Sequence, residues 1–182
     1  KRGSLVVENS NVFLNDLEFE FLSDNGEIGS LEMMGEVFGS SDDFNFNINA
    51  TLDNIGLSSP LTRALTGIVG GGVAANYFDS IQPEGVASAE LSANGNQDEF
   101  AYNFAIQPES LSATFHDHRA HATFGESTKA DVIVFDNEGI HFNKLSGALG
   151  GGSFALHGSI GIEDDINGDV GLTWDGPSND GS

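Results

Sequence analysis

Cysteine is absent from this 182-residue chain, so disulfides and thiolate metal sites are excluded. Basic residues are scarce: 6 Lys and Arg stand against 28 Asp and Glu, for a net charge of −22. Such a field repels phosphate backbones and excludes nucleic acid as a partner; an anionic membrane surface is equally unfavourable. No stretch of about 18 apolar residues occurs, so no segment spans a membrane as a helix. The 4 Pro and 24 Gly fit a chain of many turns.

What is plentiful is Phe, 14 residues in a chain only 38% apolar. Phe favours strands and buries a large area per residue, which points to an aromatic-weighted sheet. Period-two alternation is the dominant signal. Phe44, Phe46, Ile48, Ala50 and Leu52 fall on one side of a strand and Asn45, Asn47, Asn49 and Thr51 on the other. Phe100, Tyr102, Phe104 and Ile106 repeat the pattern, as do Leu17, Phe19 and Phe21, and Val170, Leu172 and Trp174. Asn25-Gly26, Asn137-Glu138-Gly139 and Asn167-Gly168 read as turns between strands (131–135 to 140–145, and 153–162 to 170), and connections this short mean antiparallel neighbours. Residues 31–48 echo 145–162, each a strand, a Gly interruption and a second strand.

The fold expected is mainly β: an antiparallel meander of repeated hairpins forming a curved, half-open sheet, with a β-sandwich as the alternative. One short helix is expected within 59–80, capped by Ser59, opened by Pro60 and spaced by Leu61, Leu65, Ile68 and Val69. Residues 1–176 read as a single module and 177–182 as a linker or cut end. Together with the Lys1-Arg2-Gly3-Ser4 start, this reads as a piece of a longer chain.

Catalytic chemistry finds no foothold. There is no Gly-x-Ser-x-Gly elbow and no thiol, and the glycines of 67–72 lack the Lys-Ser or Lys-Thr of a phosphate loop. No enzyme activity and no cofactor are assigned. His116, His118 and His121 are the metal candidates, but Arg119 sits among them and no fourth ligand is evident, so a polar strand end or hairpin is the favoured reading. Glu163, Asp164, Asp165, Asn167 and Asp169 resemble a loose calcium loop without the later Gly and Glu of an EF-hand.

The remaining feature is the apolar face itself. It is either the core of a sandwich or a groove that holds lipid acyl chains, lined by Phe44, Phe46, Ile48, Phe100, Phe104, Ile106, Phe154 and Leu156.

A family resemblance bears on that choice. After the helical segment come Ile81-Gln82-Pro83-Glu84-Gly85-Val86-Ala87, a Phe-rich strand at 100–108, and Ala130-Asp131-Val132-Ile133-Val134-Phe135. Then follow Gly139-Ile140-His141-Phe142-Asn143-Lys144-Leu145-Ser146-Gly147 and Gly151-Gly152-Ser153-Phe154-Ala155-Leu156-His157-Gly158-Ser159-Ile160. From Leu52 to Ile162 this order resembles the C-terminal region of AsmA-like proteins of bacterial envelopes. The resemblance implies a long β-groove of repeated units in the periplasm, anchored at the inner membrane. It also implies a role in inter-membrane lipid transport or outer-membrane maintenance, without catalysis. The partners implied are acyl chains, neighbouring β-segments of the same protein, and a membrane met through flanking regions. The anchor is not in this chain, and its acidity departs from the pattern. The alternative is a secreted or cell-surface β-sandwich binding module stabilised by calcium.

Overall fold

The alternating segments pair in sequence order. In the computed structural model the described residues are 2–9, 11–23, 26–40, 43–60, 62–64, 79–80, 82–115, 118–124, 132–161 and 167–176, with backbone alone at 113–115, 118–120 and 167. They form eleven strands: β1 (Arg2–Glu8), β2 (Asn11–Leu22), β3 (Ile28–Ser40), β4 (Asp43–Gly56), β5 (Glu84–Asn96), β6 (Phe100–Phe115), β7 (His118–Phe124), β8 (Val132–Asp136), β9 (Gly139–Leu149), β10 (Gly152–Gly161) and β11 (Asn167–Asp175). All belong to one antiparallel sheet in meander order.

β7 and β8 occupy a single position in that order. Both pair with β6 on one side and β9 on the other, β7 at Ser110–Phe115 and β8 at Asn103–Ile106 of β6.

Residues paired directly across strands share a face, and the register lines up apolar rows across the sheet. One row runs Leu17, Met33, Ala50, Leu91, Phe104, Phe135, Ile140, Ile160. The next runs Phe19, Leu31, Leu52, Ala89, Ile106, Ile133, Phe142, Gly158, Val170. The opposite face carries polar rows such as Glu18, Glu32, Thr51, Glu90.

Apolar residues stay on one face over long strands because bulges correct the phase. Leu14 and Leu17 of β2 face Gly35 and Met33; Leu52 and Ile55 of β4 face Ala89 and Ala87. Phe142 and Leu145 of β9 face Gly158 and Leu156. In β6 one residue, Glu109, is inserted between the partners of Ala87 and Val86, which brings Leu111 onto the face of Pro108. That bulge also accommodates Pro108, which has no N–H for a regular ladder. The bulges fall in β2, β4, β6 and β9, every second position of the sheet, and therefore all in strands of one direction. Each bulge bends its strand and increases the local twist.

The buried core sits where β4 runs into the following turn: Leu52, Ile55, Leu57, Ala87, Ala89 and Phe104, with Phe21, Leu31, Leu91 and Leu111 packed around it. The helical start is as expected. The Ser59 hydroxyl accepts from the Thr62 N–H at 3.1 Å, and its carbonyl accepts from the Arg63 N–H at 3.1 Å. The expected helical face at Leu61, Leu65, Ile68 and Val69 lies outside the described residues.

Two expectations are corrected. No sandwich forms, because all eleven strands enter one sheet, leaving no second sheet among the described residues to cover the apolar face. Asn167-Gly168 is not a turn: both residues lie in β11, paired with Gly161 and Ile160, so the ladder with β10 already includes them.

Candidate functional site: an apolar sheet face

The eight expected lining residues all lie on the apolar face, but at different depths. Phe104 is 3% exposed and belongs to the core, so it is part of the foundation rather than of an accessible lining. Phe44, Phe46, Ile48, Ile106, Phe154 and Leu156 are half-buried, and Phe100 is 49% exposed.

Rings join where the sheet has no side chain. Phe46, Gly95 and Phe100 are directly opposed on β4, β5 and β6, and the two rings meet across the glycine with centroids 5.9 Å apart. Phe44 and Tyr102 extend the contact at 6.4 and 5.5 Å, giving four aromatic rings in series. The same arrangement recurs at Phe124, Gly147 and Phe154 on β7, β9 and β10, with centroids 5.7 Å apart. A Cβ at residue 147 would stand 2.9 Å from the Phe154 ring, so the glycine is what lets that ring settle onto the sheet. β5 as a whole presents Ala87, Ala89, Leu91, Ala93 and Gly95 to this face, all but Leu91 small residues between the large ones of β4 and β6. Side chains of unequal size can interdigitate in this way.

Chemically this is a smooth aromatic and aliphatic floor. It is covered at the Leu52–Leu57 end and increasingly open towards Phe100 and towards the outer strands, where Leu5, Val7, Leu172 and Trp174 are exposed. Tyr102 brings a hydroxyl to its rim, and burial followed by the nearby Asp136 carboxylate pushes its pKa up. The tyrosine is therefore a neutral hydrogen-bonding group at ordinary pH.

The polar side is acidic and amide-rich. Asn45, Asn47 and Asn49 of β4 oppose Asn96, Asn94 and Ser92 of β5. Asn137 replaces a missing strand at the end of β8: it accepts from the Tyr102 N–H at 2.9 Å and donates to the Phe100 carbonyl at 2.8 Å. Beside it, Asp136 Oδ1 receives the N–H groups of Glu138 and Gly139 at 2.9 and 3.1 Å and lies 3.1 Å from His141 Nε2. Burial alone would raise the Asp136 pKa, but these hydrogen bonds outweigh it and hold the carboxyl below its ordinary value. None of this forms a nucleophile-and-base arrangement aimed at a pocket.

The histidine cluster is not assembled among the described residues. His116 and the side chain of His118 lie outside them. β7 runs unbroken from His118 to Phe124, so no turn brings His121 back towards the earlier histidines, and His121 is exposed opposite Ser112. The loose calcium loop at 163–165 also lies outside the described residues. Among those described, no group of three or more His, Asp or Glu is placed to hold a metal ion.

Sequence reasoning missed β5, whose small residues show no strong alternation, and the glycines that seat the aromatic rings. The signal for the latter is pairing, which a linear reading does not contain. Compared with protein-family models, with curated proteins and with solved structures, the chain matches none.

Proposed function

We propose that this chain is a lipid-holding segment of an AsmA-like envelope protein, whose apolar sheet face carries acyl chains during inter-membrane lipid transport or outer-membrane maintenance. In this reading it works in the periplasm, without catalysis or cofactor. The observation that carries the reading is the apolar face: its rows cross the sheet with no second sheet over them among the described residues. The opposite face carries carboxylates and amides. An aliphatic chain laid on such a floor gains about 0.8 kcal/mol for each methylene removed from water, without needing a specific polar contact. The four-ring series at Phe44, Phe46, Phe100 and Tyr102 offers an aromatic place to begin. The acidic back favours water and keeps the sheet from lying flat against an anionic bilayer.

Mass spectrometry of gently purified protein, joined to titration with a fluorescent fatty-acid analogue, tests the reading. Co-purified phospholipid and saturable probe binding are expected, with binding weakened in Phe100→Asp while the circular-dichroism spectrum is retained. Protein that carries no lipid and takes up no probe sinks the reading.

A further inference from the structure

The polar face of the sheet is not uniform. Across β2 to β5 one row of it runs Glu18, Glu32, Thr51, Glu90, with carboxylates at three of its four places. Further along the same strands the carboxylates give way to amides. Asn45, Asn47 and Asn49 of β4 stand opposite Asn96, Asn94 and Ser92 of β5, and Asn103 of β6 lies beyond Ser92. Asparagine is among the residues that strands accommodate least well. Threonine, which stands at position 51 of this same face, meets water equally well and suits a strand better. A bank of amides here is therefore not explained by folding or by solvation.

Its geometry is regular. The pairing of β3 with β4 is unbroken from Ser30 to Ser40, and that of β4 with β5 from Asn45 to Leu52, so no bulge distorts the bank. Side chains on one face then form a grid, about 4.8 Å between strands and about 6.8 Å along each strand. Phe38 of β3 pairs with Asn45, which puts its ring on this polar face, where it is 41% exposed. Glu36, Phe38, Asn45, Asn47, Asn94 and Asn96 line one open cleft of about 550 Å³, within the roughly 300–1,000 Å³ of small-ligand sites.

The amides are held but not used up. Asn96 Oδ1 accepts the N–H groups of Asp98 and Glu99 at 2.8 and 2.9 Å, which fixes the side chain and leaves its nitrogen to donate. Asn47 Oδ1 accepts from Asn49 Nδ2 at 3.5 Å. Among the described residues Asn45 and Asn94 make no side-chain hydrogen bond.

Each carboxamide offers two N–H donors and an acceptor oxygen. Adjacent sugar hydroxyls offer the same mixture of donors and acceptors, and an exposed aromatic ring suits the C–H face of a pyranose. Charge narrows the class further. The net charge of −22, with Glu36 in the cleft itself, opposes phosphate, sulfate and uronate groups. We propose that this amide cleft binds a neutral pyranose oligosaccharide, with Asn47 and Asn94 bridging neighbouring hydroxyls and Phe38 carrying the face of one sugar ring. Glu36 accepts from a further hydroxyl. The site is independent of the lipid reading, because its amides and Phe38 lie on the face opposite the acyl floor.

The test is titration of the whole, ¹⁵N-labelled chain with maltohexaose, cellohexaose and chitohexaose in turn, followed by the side-chain amide signals of asparagine. At least one of the three is expected to move the Asn45, Asn47 and Asn94 signals saturably at millimolar concentration, while heparin, a polyanion, moves none. Phe38→Ala is expected to weaken binding about fivefold, the size of effect an aromatic contact gives. Asn47→Asp, at an exposed position where the fold is kept, is expected to weaken it as well, because the donors are lost and a charge is added. Backbone signals of the buried Leu52 and Phe104 report that each variant remains folded. Amide signals that none of the three saccharides moves overturn the proposal. So does binding that is unchanged in both folded variants, and so does a response to heparin equal to that of the neutral saccharides.

Discussion

Leu52 and Ile55 lie on the same face of β4, each 1% exposed, although three residues apart they would face opposite ways in a regular strand. The intervening Asn54 adopts φ 52° and takes up the extra residue. Leu14 and Leu17 are reconciled in the same way by Asp16 at φ 45°, and Phe142 and Leu145 by Lys144 at φ 51°. Three apolar pairs that look out of phase thus share one face through a left-handed residue.

Lys144 is the bulge residue with the least to lose. The left-handed region costs an ordinary L-residue roughly 1–2 kcal/mol, whereas glycine enters it freely and loses about 0.5–1 kcal/mol in chain entropy. Lys144→Gly is therefore expected to raise unfolding stability by about 0.5–1 kcal/mol. Lys144→Val is expected to lower it by more than 1 kcal/mol, in the range of strained positions. Urea titration measures both. Asn54→Gly is expected to gain less, because the Asn54 amide donates to Glu27 Oε2 at 3.3 Å and to the Ile28 carbonyl at 3.2 Å.

Phe104 and Phe100 share the apolar face of one strand but separate foundation from lining. Phe104→Ala empties a buried site and is expected to cost about 3–5 kcal/mol. Phe100→Ala, from a half-exposed position, is expected to cost no more than about 1.5 kcal/mol while reducing uptake of an acyl probe. Equal losses of stability at the two positions would remove the distinction between core and lining.

Asn137 is expected to be sensitive to charge as well as to truncation. Asn137→Ala removes both bonds to the edge of β6 and is expected to cost about 1–2 kcal/mol. Asn137→Asp keeps the acceptor for the Tyr102 N–H but turns a second oxygen towards the Phe100 carbonyl, beside Asp136. It is expected to be at least as destabilising as alanine at neutral pH and to recover in acid, by denaturation at two pH values.

Asp136 makes stability depend on pH with a definite sign. Its folded pKa is depressed, so its contribution is fully present above the ordinary aspartate value of about 3.9. That contribution is lost as pH falls through the folded value, because the unfolded chain then binds the proton more readily. Asp136→Asn is expected to be less stable than the parent at neutral pH and to approach it below about pH 4. The comparison with the parent cancels the common effect of protonating the other carboxylates.

Strands with large alternating side chains were legible from the order of residues: Phe44 to Leu52 and Phe100 to Ile106 each announce a half-buried strand. The meander was legible too, because the turn dipeptides leave no room for crossovers. β5 escaped notice because alanine and glycine at Ala87, Ala89, Ala93 and Gly95 carry little hydrophobic contrast, although they pack between two rows of large residues. Depth was also hidden. Alternation assigns Phe100 and Phe104 to the same face, but only the latter belongs to the buried cluster with Leu52, Leu57 and Ala89. The bulges were invisible for a related reason: a residue such as Asp16 or Lys144 at a strand interior breaks the period and reads as the end of a pattern.

The placement of the bulges in β2, β4, β6 and β9 limits how such a chain can change its length. Inserting or deleting one strand would reverse the direction of everything beyond it and throw the later bulges onto the wrong set of strands. Adding or removing a hairpin would preserve both direction and bulge placement. The smallest tolerated change in size is therefore a pair of strands, which makes the hairpin, rather than the strand or the whole sheet, the unit in which this protein can be lengthened, shortened or rebuilt.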